Sequence, residues 1–168
     1  MIFAFDTHYN NNKAHTVCMG FENWTDKEAT LELSEDLEVP DEYVSGEFYK
    51  RELPCIMSIL TQIKLQKEDI IVVDGFVVLD DRGKLGLGGH LYEELNRQVP
   101  IIGVAKSNFA TLNTLKREVY RGDSKRPLYI TSLGIDLDKA TAYVQSMHGA
   151  YRIPDILKKL DQKTKFLI

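Results

Sequence analysis

The chain has 168 residues, 43% of them hydrophobic, enough for one full core in an ordinary soluble domain. Its net charge of −4 argues against strong nonspecific binding of nucleic acid, which uses a basic surface, although two bound divalent ions would offset four negative charges. No apolar run approaches the ~20 residues that cross a bilayer, and the start lacks the basic region of a signal peptide, so no membrane association and a cytoplasmic location are expected.

Residues 1–8 read as a strand whose apolar part, Met1 to Phe5, ends at Asp6. Asn10-Asn11-Asn12 signals a turn, Ala14 to Phe21 a second strand, and the alternation from Glu28 to Leu33 a third, which together make an antiparallel meander. Pro40 and Gly46 bracket a loop. Phe48, Leu53, Ile56, Ile59, Leu60 and Ile63 then recur at helical spacing. Residues 69–74 form a buried strand ending in Asp74-Gly75, and a glycine-dense stretch from Arg82 to Gly89 leads into a helix through His90, Leu91 and Leu95.

Ile101 to Ala105 is another buried strand, running into Lys106. Strands or a hairpin are expected over 117–121 and 127–133, around Gly122-Asp123. Asp136 is placed to cap a helix reaching about Met147, and a last helix follows Pro154. Strands first and then alternating helices and strands give one mixed-sheet α/β domain. Cys18 and Cys55 sit singly in apolar segments and are expected to be reduced core residues. Two basic stretches, Lys116 to Arg126 and Lys158 to Lys165, are either solvated faces or surfaces that follow a phosphate backbone.

The chemistry lies in the acids. Asp6 and Asp74 each end an apolar run, where a carboxylate is costly to desolvate unless it meets a cation or hydrogen-bond donors. Glu52 falls in the first helix and Asp161 in the last. Taken singly, the aspartates at the strand ends suit turn caps, and Glu52 and Asp161 suit helix surfaces. Together the four suit a divalent metal centre, because hard cations such as Mg²⁺ want oxygen ligands and can activate water for phosphodiester cleavage. Lys106, on a strand expected beside that of Asp74, is placed to neutralise charge on a phosphate.

Several segments in order resemble the endonuclease V family. They are Phe5-Asp6 with Tyr9, Tyr43-Val44-Ser45-Gly46, Arg51-Glu52-Leu53-Pro54 and Val73-Asp74-Gly75. Leu85 to Leu91, Ile102 to Ser107 and Tyr151-Arg152-Ile153-Pro154 continue the series, the last with an acid seven residues on. The resemblance implies a ribonuclease H-like fold, a mixed sheet flanked by helices, and a monomeric endonuclease that cuts DNA or RNA near deaminated, inosine-type bases. It implies Asp6, Glu52, Asp74 and Asp161 as ligands of Mg²⁺ or Mn²⁺, with Lys106 beside the phosphate or positioning water. Tyr43 would belong to a wedge entering the nucleic acid, and Gly75, Arg82 and His90 would contact substrate.

Three departures fall on the base-reading side. The family's His-Pro-Arg becomes Asp80-Asp81-Arg82, its Asp-Gly-x-Gly becomes Asp74-Gly75-Phe76-Val77, and the proline-flanked wedge becomes Glu42-Tyr43-Val44-Ser45. An acid where a histidine meets phosphate would repel it, and Val77 would fill space that a close backbone approach needs. The metal centre is therefore expected to be kept and the base pocket altered. Two further readings follow: a catalytically weakened nucleic-acid-binding protein on the same fold, and a nuclease with a different substrate.

Overall fold

The computed structural model describes residues 1–39 and 49–165. Tyr43 and the loop bracketed by Pro40 and Gly46 lie outside the described residues. The first apolar run becomes β1 (Ile2–Asn10), joined to the antiparallel β2 (Lys13–Phe21) by a two-residue connection. Asn11 takes the left-handed conformation there, at φ +57°, which asparagine tolerates better than most residues.

β3 (Leu31–Glu38) pairs antiparallel with β2, so the meander forms, but its third strand is displaced from the expected Glu28–Leu33. The Thr30 amide instead closes the preceding turn on the Gly20 carbonyl at 2.8 Å. From Leu31 onward, leucines 31, 33 and 37 turn inward, with Glu35 in the same phase accepting a hydrogen bond from the Ser58 hydroxyl at 3.0 Å. The acidic composition of the second half conceals this alternation in the sequence.

β4 (Ile70–Asp74) and β5 (Ile101–Ala105) are parallel to β1, while β7 (Leu128–Leu133) runs antiparallel to β5 and β6 (Arg117–Val119) antiparallel to β7. Among the described residues the sheet has seven strands in the order β3-β2-β1-β4-β5-β7-β6. The central strands are buried on both faces, which is why β4 and β5 read as unbroken apolar runs.

Helices α1 (Tyr49–Leu60) and α2 (Leu87–Glu94) cover one face, packing Ile56, Ile59 and Leu91 on Phe3, Phe5, Ile71 and Ile101. Helices α3 (Leu137–Ser146) and α4 (Asp155–Thr164) cover the other, packing Val144, Ile156 and Leu160 on Ala4, Val72, Ile102 and Val104. Asp136 caps α3 as expected, accepting from the Lys139 amide at 3.0 Å. Cys18 and Cys55 are buried and unpaired with each other. Among the described residues no helix is long and apolar enough to cross a membrane.

β1 runs two residues past the expected strand over 1–8, to Asn10, because β2 pairs with it along its whole length, so Asp6 lies inside the strand rather than at its tip. Its parallel partner β4 runs alongside only as far as Val73 opposite Phe5. Asp6 thus stands where the sheet loses a strand on one side, and that step opens the space around it.

Candidate metal centre and active site

Strand alternation aims the key side chains. Asp6, Asp74 and Lys106 are in phase with Ala4, Val72 and Val104, which pack under α4. All three polar residues line a cleft between the strand ends and α4, with Ile153, Pro154, Leu157 and Leu160 on its far wall. Asp161 follows one residue after Leu160, and its Oδ1 lies 3.9 Å from the Lys106 Nζ. Glu52 comes from the first turn of α1 and is buried, yet the charges of Asp6 and Asp74 both reach it. Four acids distant in sequence are therefore brought into electrostatic contact beside two lysines, Lys106 and Lys165.

Their ionisation records the crowding. Asp6 is 5% exposed and Glu52 4%. Burial first, and then the neighbouring carboxylates, push each of them up to about 8. The Thr7 amide donates to Asp6 Oδ1 at 2.9 Å and only partly offsets this. Asp74 is exposed at the end of β4, but its surroundings still raise it, with Lys106 opposing. For Asp161 burial also favours the neutral form, but a 3.0 Å bond from the Lys165 Nζ and the charge of Lys106 together carry it below its ordinary value.

This donor set fits a divalent cation. It is all oxygen, it concentrates negative charge, and two of its members are buried with too few donors to stay ionised without a cation. Among the described residues, however, no three of the His, Cys, Asp or Glu side chains are gathered into a closed ligand shell. The backbone brings the acids to one region.

Gly75 and Gly103 shape the floor. Gly75 has φ +122°, and its amide donates to the Val104 carbonyl at 3.0 Å; no atom stands within 4 Å of where a Cβ would be, so the backbone conformation alone calls for glycine. At Gly103 the reason is space. A Cβ there would sit 2.6 Å from the Gly75 carbonyl oxygen and 2.7 Å from the Thr131 hydroxyl.

The departures at 77–82 have identifiable structural partners. Val77 is fully buried against Gly88, and its amide donates to the Thr131 hydroxyl at 2.8 Å. Asp81 accepts from the amides of Asn113, Thr114 and Leu115 at 2.8–3.3 Å, and Asp80 from those of Arg82 and Lys84 at 3.0 Å. These bonds pull Asp81 below its ordinary pKa, the Asn113 amide first, and the acid pins two loops together.

Arg82 is exposed on the same turn and does not line the cleft. His90 stacks on Tyr49, 3.6 Å between ring centroids, one helical turn before Glu52. The first basic stretch also dissolves as a continuous surface. Arg121 is buried, donating to the Tyr151, Met147 and Gly149 carbonyls, and Arg117 pairs with Asp138 at 2.8 Å.

Two supporting residues went unassigned in the sequence. Arg152 donates to the Lys106 carbonyl, and to that of Pro127 at 2.8 Å, tying the end of β5 to the approach to α4. Lys165 holds Asp161 from four residues further along the helix, a spacing that the sequence displays.

The family model described as endonuclease V matches residues 1–162. An endonuclease V from Streptomyces avermitilis superposes with a TM-score of 0.75 at 22% identity, covering 98% of this chain and 79% of the other. The Ciona intestinalis endonuclease V in complex with an inosine-containing DNA gives 0.80 at 17% identity, covering 98% and 84%. The Marinitoga piezophila Argonaute gives 0.54 at 10%, covering 98% of this chain and 29% of its own. No curated protein matches the chain. The architecture is thus the ribonuclease H-like one that the sequence segments implied. A family model spanning nearly the whole chain, on the fold those enzymes share, makes this protein a member of the endonuclease V family and an endonuclease.

Proposed function

We propose that this endonuclease hydrolyses one strand of DNA or RNA near deaminated, inosine-type bases, with Mg²⁺ or Mn²⁺ held by Asp6, Glu52, Asp74 and Asp161. The observation that carries this reading is the gathering of buried Asp6 and Glu52 with Asp74 and Asp161 close enough to shift one another's ionisation, with Asp6, Asp74 and Lys106 lining one cleft. The bound ion would supply Lewis acidity at the scissile phosphate and a more acidic attacking water. Asp6 and Glu52, ionised in its presence, provide the fixed negative charge that holds it. The Lys106 ammonium, 3.9 Å from Asp161, would neutralise charge growing on the phosphoryl oxygens, and Arg152 fixes its backbone. Water adds to phosphorus in line as the bond to the 3′-oxygen breaks; the water loses a proton and the leaving oxygen gains one, which yields a 3′-hydroxyl and a 5′-phosphate.

The inosine-containing DNA in the Ciona structure supports the choice of lesion. Tyr43, Gly75, Arg82 and His90 are the proposed substrate contacts. A single-domain, cytoplasmic monomer is the form proposed. The test is cleavage of labelled single- and double-stranded DNA and RNA, with and without inosine, in Mg²⁺, Mn²⁺ and EDTA, with Asp74→Asn as the blank. Metal-dependent cutting beside inosine that the variant lacks is expected. Cutting indifferent to inosine keeps the nuclease and discards the lesion. Lys106→Met is expected to lower kcat about 10²–10³-fold.

That no three of these side chains are gathered as a metal-ligand group among the described residues favours one second reading, a nucleic-acid-binding protein with weakened catalysis. Binding without cleavage of any strand in the same panel would establish it.

A further inference from the structure

Tyr151 is 71% exposed, more than any other large hydrophobic side chain among the described residues. An exposed ring usually belongs to a loose segment, but this one does not. The Tyr151 carbonyl accepts from the buried Arg121 at 3.0 Å, and the next residue, Arg152, is bonded to the Lys106 and Pro127 carbonyls. Gly122 packs so closely against this segment that a Cβ would fall 2.4 Å from the Ala150 carbonyl oxygen. The backbone is clamped while the ring is left in water.

The ring's position is also specific. Ile153 and Pro154, directly after the clamp, line the cleft that contains Asp6, Asp74 and Lys106. The Lys158 Nζ stands 5.9 Å from the Tyr151 ring centroid. On α4, Lys158, Asp161 and Lys165 follow one face at intervals of three and four residues, so the two lysines bracket the acid over about 10 Å of helix. An aromatic plane, a cation beside it and a path into the acids is the arrangement that single strands use, stacking a base and pairing the adjoining phosphate.

We propose that Tyr151 and Lys158 form a stacking subsite that holds one base, and the phosphate beside it, of a single-stranded polynucleotide running into the cleft. The proposal rests on nucleic acid being the substrate. Stacking tolerates any base, so the subsite adds affinity and register without reading sequence.

The test is fluorescence anisotropy with labelled single-stranded 12-mers of DNA and of RNA, in EDTA and, on the Asp74→Asn background, in Mg²⁺. Tyr151→Ala is expected to weaken binding of at least one of these strands about 5-fold or more, while Tyr151→Trp retains it. Strands carrying one abasic position, moved along the sequence, should bind the parent poorly at a single position, and Tyr151→Ala should erase that dependence. Lys158→Gln should lower the salt dependence by about one phosphate contact. Thermal melting checks that each variant folds. Parent-like binding by a folded Tyr151→Ala, or an abasic effect equal at every position, overturns the subsite and leaves the nuclease reading standing. A parent that binds no strand under either condition overturns both.

Discussion

Asp6 and Glu52 are almost wholly enclosed, and burial first, then neighbouring carboxylates (Asp74 for Asp6, Asp6 for Glu52), disfavour the charge on each. Burying two such carboxylates costs stability, so removing one charge should stabilise the fold while ending the proposed activity. Asp6→Asn is expected to raise the melting temperature of the metal-free protein at pH 8 by several degrees, about 0.5–2 kcal/mol, and to abolish cleavage. Calorimetry beside the cleavage assay decides it, and a fall in melting temperature would mean that Asp6 is paired by something stronger than the Thr7 amide. Gly103 is the opposite case, chosen for space. Gly103→Ala forces a methyl onto the Gly75 carbonyl and should destabilise by about 1–3 kcal/mol, read as a lower midpoint in urea.

At the scale of elements, loops reinforce the strand ends that the sheet already joins. The turn at 80–84 is fastened to the segment after β5 by Asp81, which accepts three successive amides, and by the Thr111 hydroxyl, which donates to the Leu79 carbonyl at 2.7 Å. Asp81 is held below its ordinary pKa, so its hold is present above the usual carboxylate range and is lost as pH falls through its own lowered value. In Asp81→Asn, amide exchange at Asn113, Thr114 and Leu115 should quicken at neutral pH, with exchange in β4 and β5 unchanged. Equal protection in the variant would show that the loop is held by its other contacts.

For the whole molecule, the raised acids give stability an unusual pH dependence. Asp6 and Glu52 have folded values of about 8 against ordinary values of 3.8 and 4.5. The fold binds these protons more tightly than the unfolded chain does. Their stabilising share is complete below about pH 4 and is lost as pH rises through 8. Metal-free protein should therefore melt at progressively lower temperature from about pH 5 to pH 9. Saturating Mg²⁺ or Mn²⁺ should restore stability most at the alkaline end, by about 2.7 kcal/mol at a hundredfold excess over Kd. Melting curves across pH with and without metal check both statements, and a metal effect that vanishes at pH 9 would exclude these carboxylates as the ligands.

The sequence by itself determined the elements and the roster of acids. Apolar runs as short and unbroken as Ile70–Val73 and Ile101–Ala105 can be buried in a sheet covered on both faces, and the helical spacing after Leu53 leaves few alternatives. The ordered segments around Asp6, Glu52, Asp74 and Lys106 carried the family as well. Tertiary structure decided what those residues meet. That Asp6 lies inside a strand depends on β2 outrunning β4 as its neighbour. Val77 packs beneath Gly88, Asp81 caps a loop thirty residues downstream, and Arg121 turns inward to three carbonyls, while Tyr151 beside it stays in water. Local pattern fixes a residue's secondary structure because backbone geometry repeats over a few residues. A side chain's partner comes from chain segments that only folding brings near, and no spacing rule reaches that far.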